Sequence, residues 1–458
     1  MQTNIQTTYG KNKMLKKSKY NLLFFFFDIN NDTITMGGNM DTIEYKDILK
    51  NYVLERALQN ISPKMALKRK NKYGYFKSIS PEVKYKECDI TKYLRHRSYN
   101  DVVVRFKSVL DNELSHCNNN GFYQNIKSLY ITEYQTEQEA IDALEEKPTA
   151  SAIYDEETNN MAIFHFNTPK IENYDKRKIE EDIATHELLH MSTTYKKGII
   201  TLCGFYQAIG GKHKIGVGLN EGYTELLNER YFSNTFPTAS YINQKHLALG
   251  IEEIVGKETM EKLYFDANLA GVIEELSNYI SKEEALTLIR EIDEDHMSEK
   301  KDFASYYKQA LELRNKIAHV QNIKNEKLLI EGKITQEEYD YNNLKSQFYK
   351  SGYIFKQTST GYSFRYGDSD KEIRLTKEAY RVLNNTIKNN ETQTDFVVCA
   401  YKLNKIMNNT DLTNIDRIEL TNDNEAGYKI TLKTNKKAEI EAMTSESMET
   451  DKMSKKKY

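Results

Sequence analysis

His186, Glu187 and His190 fall in the run HELLH, and Glu221 follows 31 positions after His190 (221 − 190) inside the run GLNEGYTE. Residues four apart on a helix lie one turn above each other, so the two imidazoles can aim at one ion about 2.0–2.1 Å from each ring nitrogen. Glu187 then sits about 100° round the helix, beside the ion rather than on it. That offset suits a carboxylate that takes a proton from a zinc-bound water, whose pKa the metal lowers toward roughly 7. One Zn2+ per chain, held by His186, His190 and Glu221, is the expected cofactor. A plainer assignment competes with this one. Ile179, Ile183, His186 and His190 recur at i, i+4, i+7 and i+11, the stripe of an ordinary core helix, and Glu221, Glu225 and Glu229 could be one solvated helix face.

The segment Asn220-Glu221-Gly222-Tyr223-Thr224-Glu225 resembles the NExx(S/T)(D/E) element of gluzincins, the thermolysin-like zinc metallopeptidases, whose third ligand is a glutamate on a later helix. The resemblance implies that Glu221 is that ligand and that Glu225, with Asn220, belongs to the outer shell. A carboxylate four residues from a ligand can accept the free N–H of a zinc-bound imidazole. It also implies an extra donor for the oxyanion, usually Tyr or His. Tyr206, His213, Tyr241 and His246 are the candidates, and nothing in the sequence singles one out. Metzincins are excluded, since they need Gly at 193 and His at 196, where this chain has Thr193 and Lys196. The likeness covers roughly residues 151–235.

These side chains need elements to hold them. The HELLH helix is expected from about Asp175 to Tyr195. Before it, Ser151–Tyr154 and Met161–Phe166 flank Asp155–Asn160 as a β-hairpin, and Ala162–Phe166 is the candidate edge strand for pairing with extended substrate. Between the two motifs, Gly198–Gly218 is glycine-rich and partly β-branched, as for a strand pair or flap. From Ile251 to about Lys350 the pattern is almost wholly helical, with Ser281–Glu284 as a capping box. The implied fold is α+β: a zincin-like domain over 151–350 with a small mixed sheet and a mainly helical second lobe. An N-terminal α/β region over 41–150 precedes it, helical at Tyr45–Leu58 and β-rich at Asp101–Phe106. A small α+β appendix over 351–433 follows, with hairpins at Tyr353–Tyr366 and Ile415–Leu432 around a helix at Lys377–Ile387. Residues 434–458 are charged and polar and read as a disordered tail.

A chain of 458 residues can bury more than one core. Its 65 Lys+Arg against 67 Asp+Glu leave a net charge of −2, which argues against a nucleic-acid binder. Cys88, Cys117, Cys203 and Cys399 are widely separated and form no CxxC pair, as in a reduced compartment, so the cytoplasm is expected. Five Pro, no Trp, 33 Tyr and abundant Asn and Lys resemble the bias of an AT-rich bacterial genome. Over residues 1–40, basic Lys11–Lys19 precede Leu22–Phe27 in the order of a secretory signal. Six apolar residues are short for one and far too few to span a bilayer, so a hairpin strand is preferred. The expected activity is metal-dependent hydrolysis of a peptide or protein substrate. The alternative is an inactive, zinc-stabilised interaction or regulatory protein of the same fold.

Overall fold

The valine run at 102–104 is helical. Helix α1 spans Asn100–Asn112 and buries Val102, Val103, Phe106 and Leu110, a spacing of i, i+1, i+4 and i+8 that only a helix puts on one face. The β-rich expectation for Asp101–Phe106 therefore fails: β-branched residues favour strands, and packing overrode that preference. The computed structural model describes residues 99–156, 158–171, 174–197, 200–209, 213–232, 241–297, 303–367, 371–389, 399–400, 403–405, 411–423 and 427–434, all within one compact unit over Tyr73–Tyr458. The expectations for residues 1–40, for Tyr45–Leu58 and for the tail beyond 434 lie outside the described residues.

After α2 (Asn120–Asn125) come β1 (Tyr130–Tyr134), α3 (Glu137–Leu144), β2 (Ala152–Asp155) and β3 (Asn160–Phe164). The three strands form one sheet in the order β1-β3-β2, with β1 parallel to β3 and β2 antiparallel to it. The hairpin of β2 and β3 is as expected, but Ala162–Phe164 lies in the central strand and Phe166 in a 3-10 turn. Burial gives the reason. Met161, Ala162, Ile163 and Phe164 are all buried, as a strand covered on both faces must be, whereas β2 alternates buried Ala152 and Tyr154 with exposed Ile153. The edge strand is β2. Because β1 belongs to this sheet, a boundary at 150/151 would cut through it.

Helix α4 (Lys176–Ser192) carries HELLH. The Asp175 side chain accepts from the Arg177 N–H and caps its start. At its end the hydroxyls of Ser192 and Thr193 donate to the Leu189 carbonyl, and that of Thr194 donates to the His190 carbonyl, so the last orphan acceptors are satisfied by side chains. The chain then turns into a four-stranded antiparallel meander, β4 (Thr194–Lys197), β5 (Ile200–Cys203), β6 (Tyr206–Ile209) and β7 (His213–Ile215).

Helix α5 (Val217–Leu227) carries Glu221 and runs into a π-helical turn at Asn228–Phe232. Its start has no side-chain cap of its own. Instead Asp293, from α9 (Lys282–Met297), accepts from the N–H groups of Gly216 at 2.7 Å and Gly218 at 2.9 Å. Burial pushes the Asp293 carboxyl up to about 6, against the pull of those N–H groups. Two glycines one turn apart let neighbouring backbones approach. A Cβ on Gly218 would lie 2.6 Å from the Ile292 carbonyl oxygen, and one on Gly222 would lie 2.2 Å from that of Gln244 in α6 (Ile242–Val255).

The helical pattern expected from Ile251 to about Lys350 is present among the described residues: α6, α7 (Lys257–Phe265), α8 (Leu269–Leu276), α9, α10 (Phe303–Ile330) and α11 (Gln336–Lys350). Ser281 and Glu284 form the expected capping box at the start of α9. A separate core then joins Leu344 and Phe348 of α11 to Phe355 of β8 (Tyr353–Thr358) and Phe364 of β9 (Gly361–Tyr366). Leu375 of β10 (Ile373–Leu375), Val382 of α12 (Lys377–Asn389) and Ile418 of β11 (Ile415–Asp423) complete it, and β11 pairs antiparallel with β12 (Gly427–Thr434). No helix among the described residues is long and apolar enough to cross a membrane.

Candidate metal centre

Helices α4 and α5 are stitched along their length. The Thr185 hydroxyl donates to Asn228 Oδ1 at 2.6 Å, His186 Nδ1 lies 3.0 Å from Glu225 Oε2, and Asn220 Nδ2 lies 3.3 Å from His190 Nδ1. As numbers rise on one helix they fall on the other, so the two are antiparallel. This pairing brings together all three expected ligands.

Between them the spacing is that of a coordination polyhedron. His186 Nε2 and His190 Nε2 are 3.1 Å apart, and each is 3.4 Å from Glu221 Oε2. Ligands about 2.0–2.1 Å from a tetrahedral zinc are separated by about 3.3 Å, so one ion fits within bonding reach of all three atoms. The histidines are buried, and the Glu221 side chain is about one-fifth exposed. Glu225 is 3 % exposed, so it does not lie on a solvated face. It accepts from His186 Nδ1–H, so that in the neutral ring the Nε2 lone pair is directed at the shared point.

The electrostatics also favour a cation there. Burial alone would lower both imidazoles, yet the carboxylates of Glu221 and Glu225 outweigh it and hold His186 up at about 9, and Glu221 raises His190 well above its ordinary value. Burial raises Glu221, but His190 and His186 reverse that and keep its carboxyl far below the usual range. Carboxylates packed against both imidazoles thus favour positive charge at this point.

Glu187 is not a fourth ligand. Its Oε2 accepts the Tyr154 backbone N–H at 2.7 Å, from the unpaired side of β2. Burial raises its pKa, partly offset by the two imidazoles and by that N–H. A buried carboxylate with a raised pKa beside a prospective metal is suited to proton transfer.

The four candidate oxyanion donors separate. Tyr241 stacks on His186, with ring centroids 5.9 Å apart and planes 18° apart, and touches His296 on another side at 5.8 Å. It holds φ of 57° at the start of α6, an uncommon conformation for a bulky residue and one that tends to mark functional positions. Tyr206 instead donates to Glu156 at 3.2 Å. His246 stacks on Tyr349 at 4.6 Å within the helical lobe, where burial and then Arg314 push it down to about 3. The backbone of His213 lies in β7, and its side chain is outside the described residues.

Sequence reasoning missed four participants. Tyr154 acts through its backbone, Cys203 in β5 lies against His190, Asp293 comes from α9, and His296 meets the Tyr241 ring. A HELLH motif signals none of these, because each depends on tertiary packing. Searches of family models, of curated proteins and of solved structures found no match to the chain.

Proposed function

We propose that the chain is a zinc-dependent peptidase of the gluzincin type, with a zincin-like catalytic domain. The observation that carries this reading is the near-equilateral triangle of 3.1, 3.4 and 3.4 Å between His186 Nε2, His190 Nε2 and Glu221 Oε2, with Glu187 adjacent and uncoordinated. Bound there, zinc would supply Lewis acidity and acidify a water molecule. Glu187 takes the proton of the attacking water and passes it to the leaving amine. Tyr241 is the candidate support for the carbonyl oxygen, through its position against His186. The Tyr154 N–H points away from β3, and strand alternation puts the N–H and C=O of Ala152 on the same side, where an extended peptide can pair. A carboxylate placed to take a proton from water, tied to the outer margin of β2, favours hydrolysis over a purely structural zinc site.

The test is metal content and proteolysis together. Purified protein should hold one zinc per chain and cleave a denatured-protein or peptide-library substrate in a chelator-sensitive way. Glu187→Gln should keep the zinc and lose hydrolysis, whereas His190→Ala and Glu221→Ala should lose both. Wild-type protein without stoichiometric zinc would end the proposal.

A further inference from the structure

The meander between the two motifs ends one of its turns against the metal site. At β5–β6, Cys203, Gly204 and Phe205 pack on His190 and Asn220. Gly204 has φ of 55°, and a Cβ there would lie 2.3 Å from Asn220 Oδ1 and 2.4 Å from Tyr264 Cε2, so no larger residue permits this approach. The Phe205 N–H donates to Asn220 Oδ1 at 2.9 Å, which turns the Asn220 amide nitrogen toward His190 Nδ1 at 3.3 Å. That nitrogen is a donor. If Nδ1 accepted from it, the imidazole proton would sit on Nε2, aimed at His186 Nε2, and the lone pair a cation needs would be gone. Among the described residues, the other polar side-chain atom at Nδ1 is Cys203 Sγ, at 3.6 Å. The thiol hydrogen is already directed elsewhere, to the His190 carbonyl oxygen at 3.3 Å, so sulfur lone pairs remain to accept.

We infer that the buried Cys203 sulfur accepts the His190 Nδ1–H and thereby sets the tautomer in which Nε2 faces the metal, making Cys203 a positioning residue. The role a carboxylate of α5 plays for His186 thus falls, for His190, to a thiol from the inserted sheet. This rests on the metal reading above. The β5–β6 turn at Cys203–Phe205 then supports the site from outside the ligand set.

Zinc affinity of the full chain, measured by competition with a chromophoric chelator, tests it. Cys203→Ala is expected to weaken zinc binding roughly 10-fold or more, the scale for loss of an outer-shell partner, and to perturb the visible bands of the cobalt-substituted protein. Cys203→Ser, whose oxygen can also accept, should recover part of the affinity, and circular dichroism of each variant controls for folding. A folded Cys203→Ala protein that binds zinc like wild type would overturn the inference, whatever Asn220→Ala does. Wild-type protein that binds no zinc would instead overturn the reading beneath it, so the two failures are distinguishable.

Discussion

The backbone N–H of Tyr154 donates to Glu187 Oε2 at 2.7 Å, so the proposed general base is tied to the edge strand beside which a peptide would lie. Pro at position 154 removes that donor without breaking the ladder, because the N–H faces away from β3. The hydrogen bond lowers the Glu187 pKa against the upward push of burial. Its loss should therefore move the acidic limb of the activity profile to higher pH. Tyr154→Phe, which keeps the N–H, should not move it. A pH profile of kcat/KM for the three proteins decides the matter.

Zinc binding should tighten as pH rises. Both imidazoles must be neutral to ligate, whereas without metal His186 stays protonated up to about 9 and His190 is also raised. Affinity should climb through neutral pH with proton release and level off only above about 9. Without metal the sign for folding is opposite. A histidine raised from 6.5 to about 9 contributes stability that is complete below pH 6.5 and lost as pH passes 9. Calorimetric titration in buffers of different ionisation enthalpy counts the protons released.

Glu225→Ala removes the acceptor that orients His186. Zinc affinity should fall roughly 10- to 100-fold, with little change in helix content. Chelator competition with circular dichroism separates the two effects, and unchanged affinity would take Glu225 out of the outer shell.

Gly222→Ala would drive a methyl group to 2.2 Å from the Gln244 carbonyl oxygen, a backbone atom unable to swing aside. Destabilisation of about 3 kcal/mol is expected. Gly332→Ala, where a Cβ meets nothing but φ is +67°, should cost only about 1 kcal/mol. Urea melts of both variants give the comparison.

The grouping of His186, His190 and Glu221 was legible because each half of it sits in a short local pattern: His186 and His190 four apart in α4, and Glu221 and Glu225 four apart in α5. The helical lobe, the 151–166 hairpin and the C-terminal hairpins were legible from periodicity and turn residues. Val102–Val104 misled because β-branching outweighed the i, i+4 spacing of Val102 and Phe106. Ala162–Phe166 misled because a short apolar run reads alike at the centre and the margin of a sheet, and the partner strand β1 lies about thirty residues earlier. Cys203, Asp293 and Tyr154 could not be found at all. Their roles depend on which distant backbone or ring they meet.

Asn220, Glu221 and Glu225 all ride on α5, with Gly218 and Gly222 wedging that rod between two others. No single one of the three can drift while its companions stay. Sliding or turning the rod displaces every contact with His186 and His190 at once, so the pocket should be lost as a unit rather than erode ligand by ligand.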